Sequence, residues 1–283
     1  MKTLITSRSK SVTIDSEGPV TMIGEKINPT GRKRLAAALT EGDLDYVIDL
    51  AVRQVDDGAD IVDINVGVPG LDEVKAMRDV VAAVSDAVDV PLCLDSPSHE
   101  SVAAGLDACQ ARPLINSVRG EEASMKEILP LVKEYDASVI ALLLDEEGIP
   151  ETAEARVAVA RKIIERADSM GIPIEKIVID PLVLTVGSDS NAGRITLDTI
   201  ELLTAEYGIN INLGASNVSF GLPDRHTLNQ AFLGLAIGAG ASCLITDVAK
   251  MAPTIHAADL LRGRDQHGTR YIKYFRAHAP KDD

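Results

Sequence analysis

The sequence predicts a (β/α)8 TIM barrel, and three observations predict it. Short apolar, β-branched runs recur eight times along the chain, each too short for a buried helix. Amphipathic helical stretches separate them, so successive strands need crossover connections and pair in parallel. Several runs end in a small acid or amide, and a parallel barrel gathers its functional groups at the C-terminal ends of its strands. An open doubly wound sheet fits less well, because no glycine-rich phosphate turn of the GxGxxG or GxxxxGKS type follows any strand.

The first strand is read over 20–28 (VTMIGEKIN), followed by a helical stretch over 33–58 that breaks near Gly42-Asp43, with Asp43 as N-cap. The second strand covers 59–67 (ADIVDINVG) and leads into a helix over 72–88. The third and fourth are PLCLDS (91–96) and PLINS (113–117), with a helix over 124–136 after the fourth. The fifth (SVIALLLD, 138–145) and sixth (KIVIDPL, 176–182) flank a helix over 152–171. A helix over 196–208 precedes the seventh strand (NINLGASN, 210–217), and one over 227–240 precedes the eighth (CLITDV, 243–248). Gly58, Gly171, Gly208 and Gly240 stand where a helix must close before the next strand, a position that favours the left-handed backbone of glycine. The chain reads as one barrel domain over 1–283. Residues 1–18 read as a polar N-terminal extension, and 262–283 as a mixed-charge tail whose Tyr271, Tyr274 and Phe275 pack against the barrel or a partner subunit.

Composition narrows the function. The 28 Lys and Arg against 43 Asp and Glu give a net charge of −15, the wrong sign for a nucleic-acid partner. There is no Trp, and the few Tyr and Phe leave no stacking platform for single strands. No apolar run is long enough to span a membrane and no signal peptide opens the chain, so a cytoplasmic protein is expected. Cys93, Cys109 and Cys243 match neither a disulfide framework nor a CxxC knuckle, and Cys93 reads as a buried, inert thiol.

Polar residues at strand ends are the candidates for chemistry. They are Glu25, Lys26 and Asn28; Asp63 and Asn65; Asp95 and Ser96; Asn116 and Ser117; Asp145; Asp180; Ser216, Asn217 and Ser219 with Arg225 shortly after; and Thr246 with Asp247. Ser96, Ser98 and Ser117 serve equally as N-caps of following helices. The set is rich in carboxylate and amide and poor in His. No HxH pair is present, His99, His226, His256, His267 and His278 all fall outside the strands, where a solvated or helix-surface role is the default, and no metal site is expected. Carboxylates that accept from an N–H and an adjacent amino group, beside amides offering donor and acceptor in one plane, suit a flat nitrogen heterocycle such as a pterin or purine.

The segments MIGEKIN (22–28), ADIVDINVG (59–67), CLDS (93–96), INS (115–117), IDPLVL (179–184) and GASNVSFGLPDR (214–225) resemble the pterin-binding methyltransferases. That family comprises methyltetrahydrofolate–corrinoid protein methyltransferases and the folate domain of cobalamin-dependent methionine synthase, with dihydropteroate synthase a more distant relative. The resemblance runs from about residue 20 to about residue 260. It implies that Asp95, Asn116 and Asp180 hold the pterin ring and that Asn217 sits near N5, the atom bearing the transferred methyl. It places Arg225 beside the pocket with Ser219, Glu25 and Asn28 nearby, while Phe220 occupies a position that is polar in some relatives. It also implies tetrahydrofolate or 5-methyltetrahydrofolate as substrate, cobalamin carried by a partner corrinoid protein, and a homodimer. The synthases carry a lysine in an SRK-type motif where this chain has Ser216-Asn217-Val218, and NVTPDSF where it has INPTG, which favours methyl transfer over a condensation of the dihydropteroate synthase type. The DxHxxG motif of corrinoid-binding domains has only a broken counterpart at 265–270 (DQHGTR). A non-catalytic pterin-binding subunit and a Schiff-base aldolase using Lys26 are the rival readings.

Overall fold

Each barrel strand is buried on both faces, as the continuous apolar runs require. The computed structural model describes residues 1–109 and 111–278. Its eight parallel strands are β3 (Thr21–Ile27), β4 (Ile61–Ile64), β5 (Leu92–Asp95), β6 (Leu114–Arg119), β7 (Ser138–Leu142), β8 (Ile177–Asp180), β9 (Asn210–Gly214) and β10 (Cys243–Thr246). They pair in chain order, and β10 closes the barrel against β3. Around them run α1 (Lys33–Glu41), α2 (Leu44–Asp56), α3 (Glu73–Ala87), α4 (His99–Cys109), α5 (Glu122–Glu134), α6 (Ala153–Ser169), α7 (Ala192–Tyr207), α8 (Arg225–Ala239), α9 (Val248–Leu261) and α10 (Thr269–His278).

Several local expectations meet their physical causes. The long first helical stretch is two helices: Gly42 ends α1 at φ 73°, and the Asp43 carboxylate accepts from the Tyr46 N–H at 3.2 Å to start α2. Inward and outward side chains alternate along each strand. Met22, Val62, Leu94, Ile115 and Ile179 face the helices in the large core, whereas Ile23, Ile61, Cys93, Leu114, Val178 and Cys243 fill the barrel axis. No helix among the described residues is long and apolar enough to cross a membrane.

Four expectations are corrected. Residues 1–18 are not merely a polar extension: β1 (Lys2–Thr6) and β2 (Ser11–Asp15) form an antiparallel hairpin. Its Ile5 and Ile14 are fully buried against the axial residues and close the N-terminal end of the barrel. The Asn210 amide ties the hairpin down by donating to Thr3 Oγ1 and to the Ile14 carbonyl, both at 3.0 Å. Ser117 lies within β6 rather than capping a helix, and Asp145 lies beyond the end of β7 in a tight turn with Gly148. His256 is buried in α9 against Tyr274 of α10, not at a helix surface. That contact also anchors the tail, whose residues 279–283 lie outside the described residues.

Candidate active site

The inward-facing position two residues beyond each axial apolar residue is polar on five strands. Ile23 is followed by Glu25, Ile61 by Asp63, Cys93 by Asp95, Leu114 by Asn116 and Val178 by Asp180. These five residues, with Asn28, Thr30, Arg32, Gly214, Ser216, Asn217 and Ile245, line a cavity of about 330 Å³ at the C-terminal mouth of the barrel. Of the strand-end candidates, the structure gathers Glu25, Asn28, Asp63, Asp95, Asn116, Asp180, Ser216 and Asn217 there.

Two carboxylates are fixed by amides. Asn65 Nδ2 donates to Asp95 Oδ2 at 3.0 Å, and Asn212 Nδ2 donates to Asp180 Oδ2 at 2.7 Å. The Leu182 N–H adds a bond to Asp180 Oδ1 at 2.9 Å. Leu182 itself has φ 64°, a left-handed backbone that costs a bulky residue about 1–2 kcal/mol. Buried Arg156 of α6 keeps it there: its Nη1 donates to the Pro181 and Leu182 carbonyls, each at 2.8 Å. Burial pushes the Asp95 and Asp180 carboxyls up to about 6. It pushes Asp63 well above the usual carboxylate range, with Asp95 adding like-charge repulsion. Glu25 is raised by burial and by Asp247. Asp63 Oδ1 and Asn212 Oδ1 are buried acceptors with no hydrogen-bond partner among the described residues, and of the two Asp63 lines the cavity.

Asn217 does not end a strand. β9 stops at Gly214, and Asn217 follows in a 3₁₀ turn over Ala215–Ser219. Gly214 makes room for it: a Cβ there would lie 3.2 Å from Asn217 Nδ2. A second glycine matters on β3. At Gly24 a Cβ would meet Gln54 Oε1 at 2.5 Å, and that oxygen accepts from the Lys26 N–H at 2.7 Å where the β3–β4 ladder shifts register. Gln54 thereby replaces the missing ladder bond as the strand turns Glu25 inwards.

Three residues that the resemblance places at or near the pocket stand outside the cavity lining. Ser219 is fully buried, donates to Asn229 Oδ1 at 2.7 Å and accepts from Arg225 Nε at 3.1 Å. Arg225 Nη2 donates to the Ser216 carbonyl at 2.7 Å, so this arginine braces the turn that carries Asn217. Phe220 is 67% exposed, its ring centroid 5.5 Å from the Arg225 guanidinium carbon. Lys26 is held in an ion pair by Asp247 and is no free amine for an imine. Among the described residues no three His, Cys, Asp or Glu side chains converge as a metal-ligand set. Sequence reasoning did not single out Thr30, Arg32, Asn212 or Arg156. The first two follow a strand rather than end one, Asn212 is embedded in an apolar run, and Arg156 lies in a helix.

The model of the pterin binding enzyme family matches residues 24–247. A methylcorrinoid:tetrahydrofolate methyltransferase of Eubacterium limosum is 33% identical over 263 residues, covering 90% of this chain and 96% of that protein. Methionine synthase of Mycobacterium tuberculosis is 31% identical over 262 residues, covering 88% of this chain but only 22% of that longer protein. Among solved structures, dihydropteroate synthase of Xanthomonas albilineans with 4-aminobenzoic acid superposes with a TM-score of 0.73 at 21% identity, over 92% of this chain and 98% of that one. At that identity the likeness speaks for the barrel alone.

Proposed function

The chain belongs to the pterin-binding enzyme family, and from that membership we propose that it is a methyltransferase acting between N5 of tetrahydrofolate and the cobalt of a corrinoid carried by a separate protein. The observation that carries this reading is one cavity that joins strand-end acceptors to the turn after β9. Asp95, Asn116 and Asp180 offer acceptors and an amide, and Asn217 joins them from the 3₁₀ turn. No lysine lines it.

The donors and acceptors fit a pterin. Ionised Asp95 and Asp180, already oriented by Asn65 and Asn212, accept from ring N–H and amino groups. Asn116 presents donor and acceptor together. The ring is thus fixed before the methyl moves, which removes orientational freedom from the barrier.

Methyl transfer from N5 is an in-line displacement in which the departing nitrogen keeps the bonding electron pair. The corrinoid, as second substrate, supplies the cobalt that takes up or gives back the methyl. A group that bonds N5 more strongly in the transition state than in the ground state lowers the barrier. The Asn217 amide can donate to the N5 lone pair or accept from protonated N5–H without titrating, so it serves both directions. Arg225 and Ser219 fix the turn that holds it.

The test is spectroscopic: the protein is mixed with 5-methyltetrahydrofolate and Co(I) cobalamin, and formation of methylcobalamin is followed. The reading expects methylcobalamin at a rate set by protein concentration. No change here, or condensation of a pterin with 4-aminobenzoate instead, sinks it. The family reading further carries a cytoplasmic location and a homodimer.

A further inference from the structure

We propose that Arg156, which lies outside the cavity lining, is a positioning residue for the pterin grip. Through the turn at Leu182 it orients the Asp180 carboxylate and supplies the positive charge that compensates it. This rests on the pterin reading of the same cavity.

Arg156 is 1% exposed, and a cation is costly to bury without a partner. It also lies near the N-terminus of α6, where a positive charge opposes the helix dipole. Two local rules are thus broken at one residue, a pattern expected where function holds a side chain in place. Its hydrogen bonds run to carbonyls rather than acids. Nε donates to Pro150 at 3.0 Å, and Nη1 donates to Pro181 and Leu182, each at 2.8 Å. Fastening loop carbonyls needs no charge, and Thr196 Oγ1 already donates to the Leu182 carbonyl at 3.1 Å. What the charge adds is a field at Asp180, the carboxylate that offsets the burial of Arg156.

The route from one to the other is a single residue. The Leu182 carbonyl accepts from Arg156, and the Leu182 N–H donates to Asp180 Oδ1 at 2.9 Å. The second bond is an Asx turn, and Pro181 inside it supplies no competing N–H. Closing that turn puts Leu182 at φ 64°, a conformation that persists in a leucine only where its surroundings hold it. Asn212 fixes the other oxygen, Oδ2, independently from β9. Of the remaining titratable and charged groups around Asp180, the Cys243 thiol faces it from β10, and Glu25, Asp63, Asp95 and Arg32 share its cavity. Arg156 is the cation joined to it through hydrogen bonds. Burial lifts the Asp180 carboxyl to about 6 even with Arg156 pulling it down, so losing this cation leaves it largely protonated at neutral pH. A protonated carboxyl no longer accepts at both oxygens from a ring's N–H groups.

The test measures the dissociation constant for 5-methyltetrahydrofolate across pH in the whole protein and its variants. Arg156→Gln should weaken binding about tenfold at neutral pH, and the pH at which affinity falls should rise from about 6 to about 7. Affinity should return at higher pH, where Asp180 ionises again. Arg156→Lys keeps the charge, so its profile should stay near 6 and most of the lost affinity should be regained. In the Asp180→Asn background, which has no charge to compensate, Arg156→Gln should cost less than about twofold. Leu182→Gly adopts the left-handed turn without strain. Added to Arg156→Gln, it should restore the fold if the single variant is too unstable, and leave the raised profile in place. An Arg156→Gln loss that is equal at every pH, or equal with asparagine at position 180, makes the arginine merely structural and overturns the proposal. So does a profile still near 6 in the Leu182→Gly, Arg156→Gln protein. If the unaltered protein binds 5-methyltetrahydrofolate and Arg156→Gln matches it at every pH, only the positioning role fails. If the unaltered protein binds none, the pterin reading fails with it.

Discussion

The two ends of the barrel are made from the same strands and do opposite work. At the N-terminal end, Ile23, Ile61, Cys93, Leu114 and Val178 meet Ile5 and Ile14 of the hairpin in a closed apolar plug. Two residues further on, Glu25, Asp63, Asp95, Asn116 and Asp180 face an open cavity. Burial of apolar surface at the first end stabilises the fold. Burial of carboxylates at the second costs stability, as the raised Asp95 and Asp180 values show. A site of this kind is tolerated because the plug and the outer core offset it.

The sharpest way to break the comparison is to attack the plug. Ile14→Asp would bury an unpaired charge and should cost more than about 4 kcal/mol, enough to abolish cooperative folding. Ile14→Ala leaves a cavity and should cost about 2–5 kcal/mol by denaturant titration. Pterin affinity of the folded Ile14→Ala protein should stay within about twofold, a shift too small to count against separate ends. A larger loss would mean that the ends are coupled.

At the open end the largest effect belongs to Asn217. Asn217→Ala should slow methyl transfer by about 10²–10³-fold, the range for removing one transition-state hydrogen bond, with pterin affinity little changed. Asp95→Ala should lose chiefly affinity. Equal kinetic losses in the two variants, fully explained by pterin binding, would strip Asn217 of its separate role.

Asp180→Asn comes next, and it should move stability and function in opposite directions. Removing a buried charge should raise stability by up to about 2–3 kcal/mol, the cost of burial that lifts this carboxyl to about 6. The amide introduced needs an acceptor, and a flipped Asn212 can present its unpartnered Oδ1. Pterin affinity should fall about tenfold to a hundredfold as charge-assisted bonds are lost. A variant that is less stable and still binds would contradict the division between the ends.

The barrel was legible because strands buried on both faces leave unbroken apolar runs, and because their inner polar positions fall at the ends of those runs. The hairpin was not, since KTLIT and SVTID each place only one or two apolar residues on one face. Their burial depends on the barrel floor, which only the folded chain supplies. Asp95, Asn116 and Asp180 could be picked out as polar exits from apolar strands. Asn212 could not, because its neighbours Ile211 and Leu213 make it look like core. Ser219 and Arg225 were drawn toward the ring by the resemblance, whereas the 3₁₀ turn folds them behind Asn217. No periodicity predicts that reversal.

The most graded test uses pH. Asp95 and Asp180 titrate near 6 in the folded chain and near 4 when unfolded, so between those values the folded state binds the extra protons. Their contribution to stability is therefore most favourable below about pH 4 and declines as pH rises through 6, opposite to a salt-bridged carboxylate. Pterin affinity should run the other way, because only the ionised carboxylates accept the ring's N–H groups. From pH 7 to pH 5.5 it should fall about tenfold, while Asp180→Asn should show a shallower fall from Asp95 alone. Binding near pH 6 should also release protons, seen as a calorimetric enthalpy that varies with the buffer. An affinity flat from pH 5 to 7.5 would mean that neither carboxylate grips the ligand as an anion. A matching profile in Ile14→Ala would show that the titration belongs to the mouth of the barrel and owes nothing to its floor.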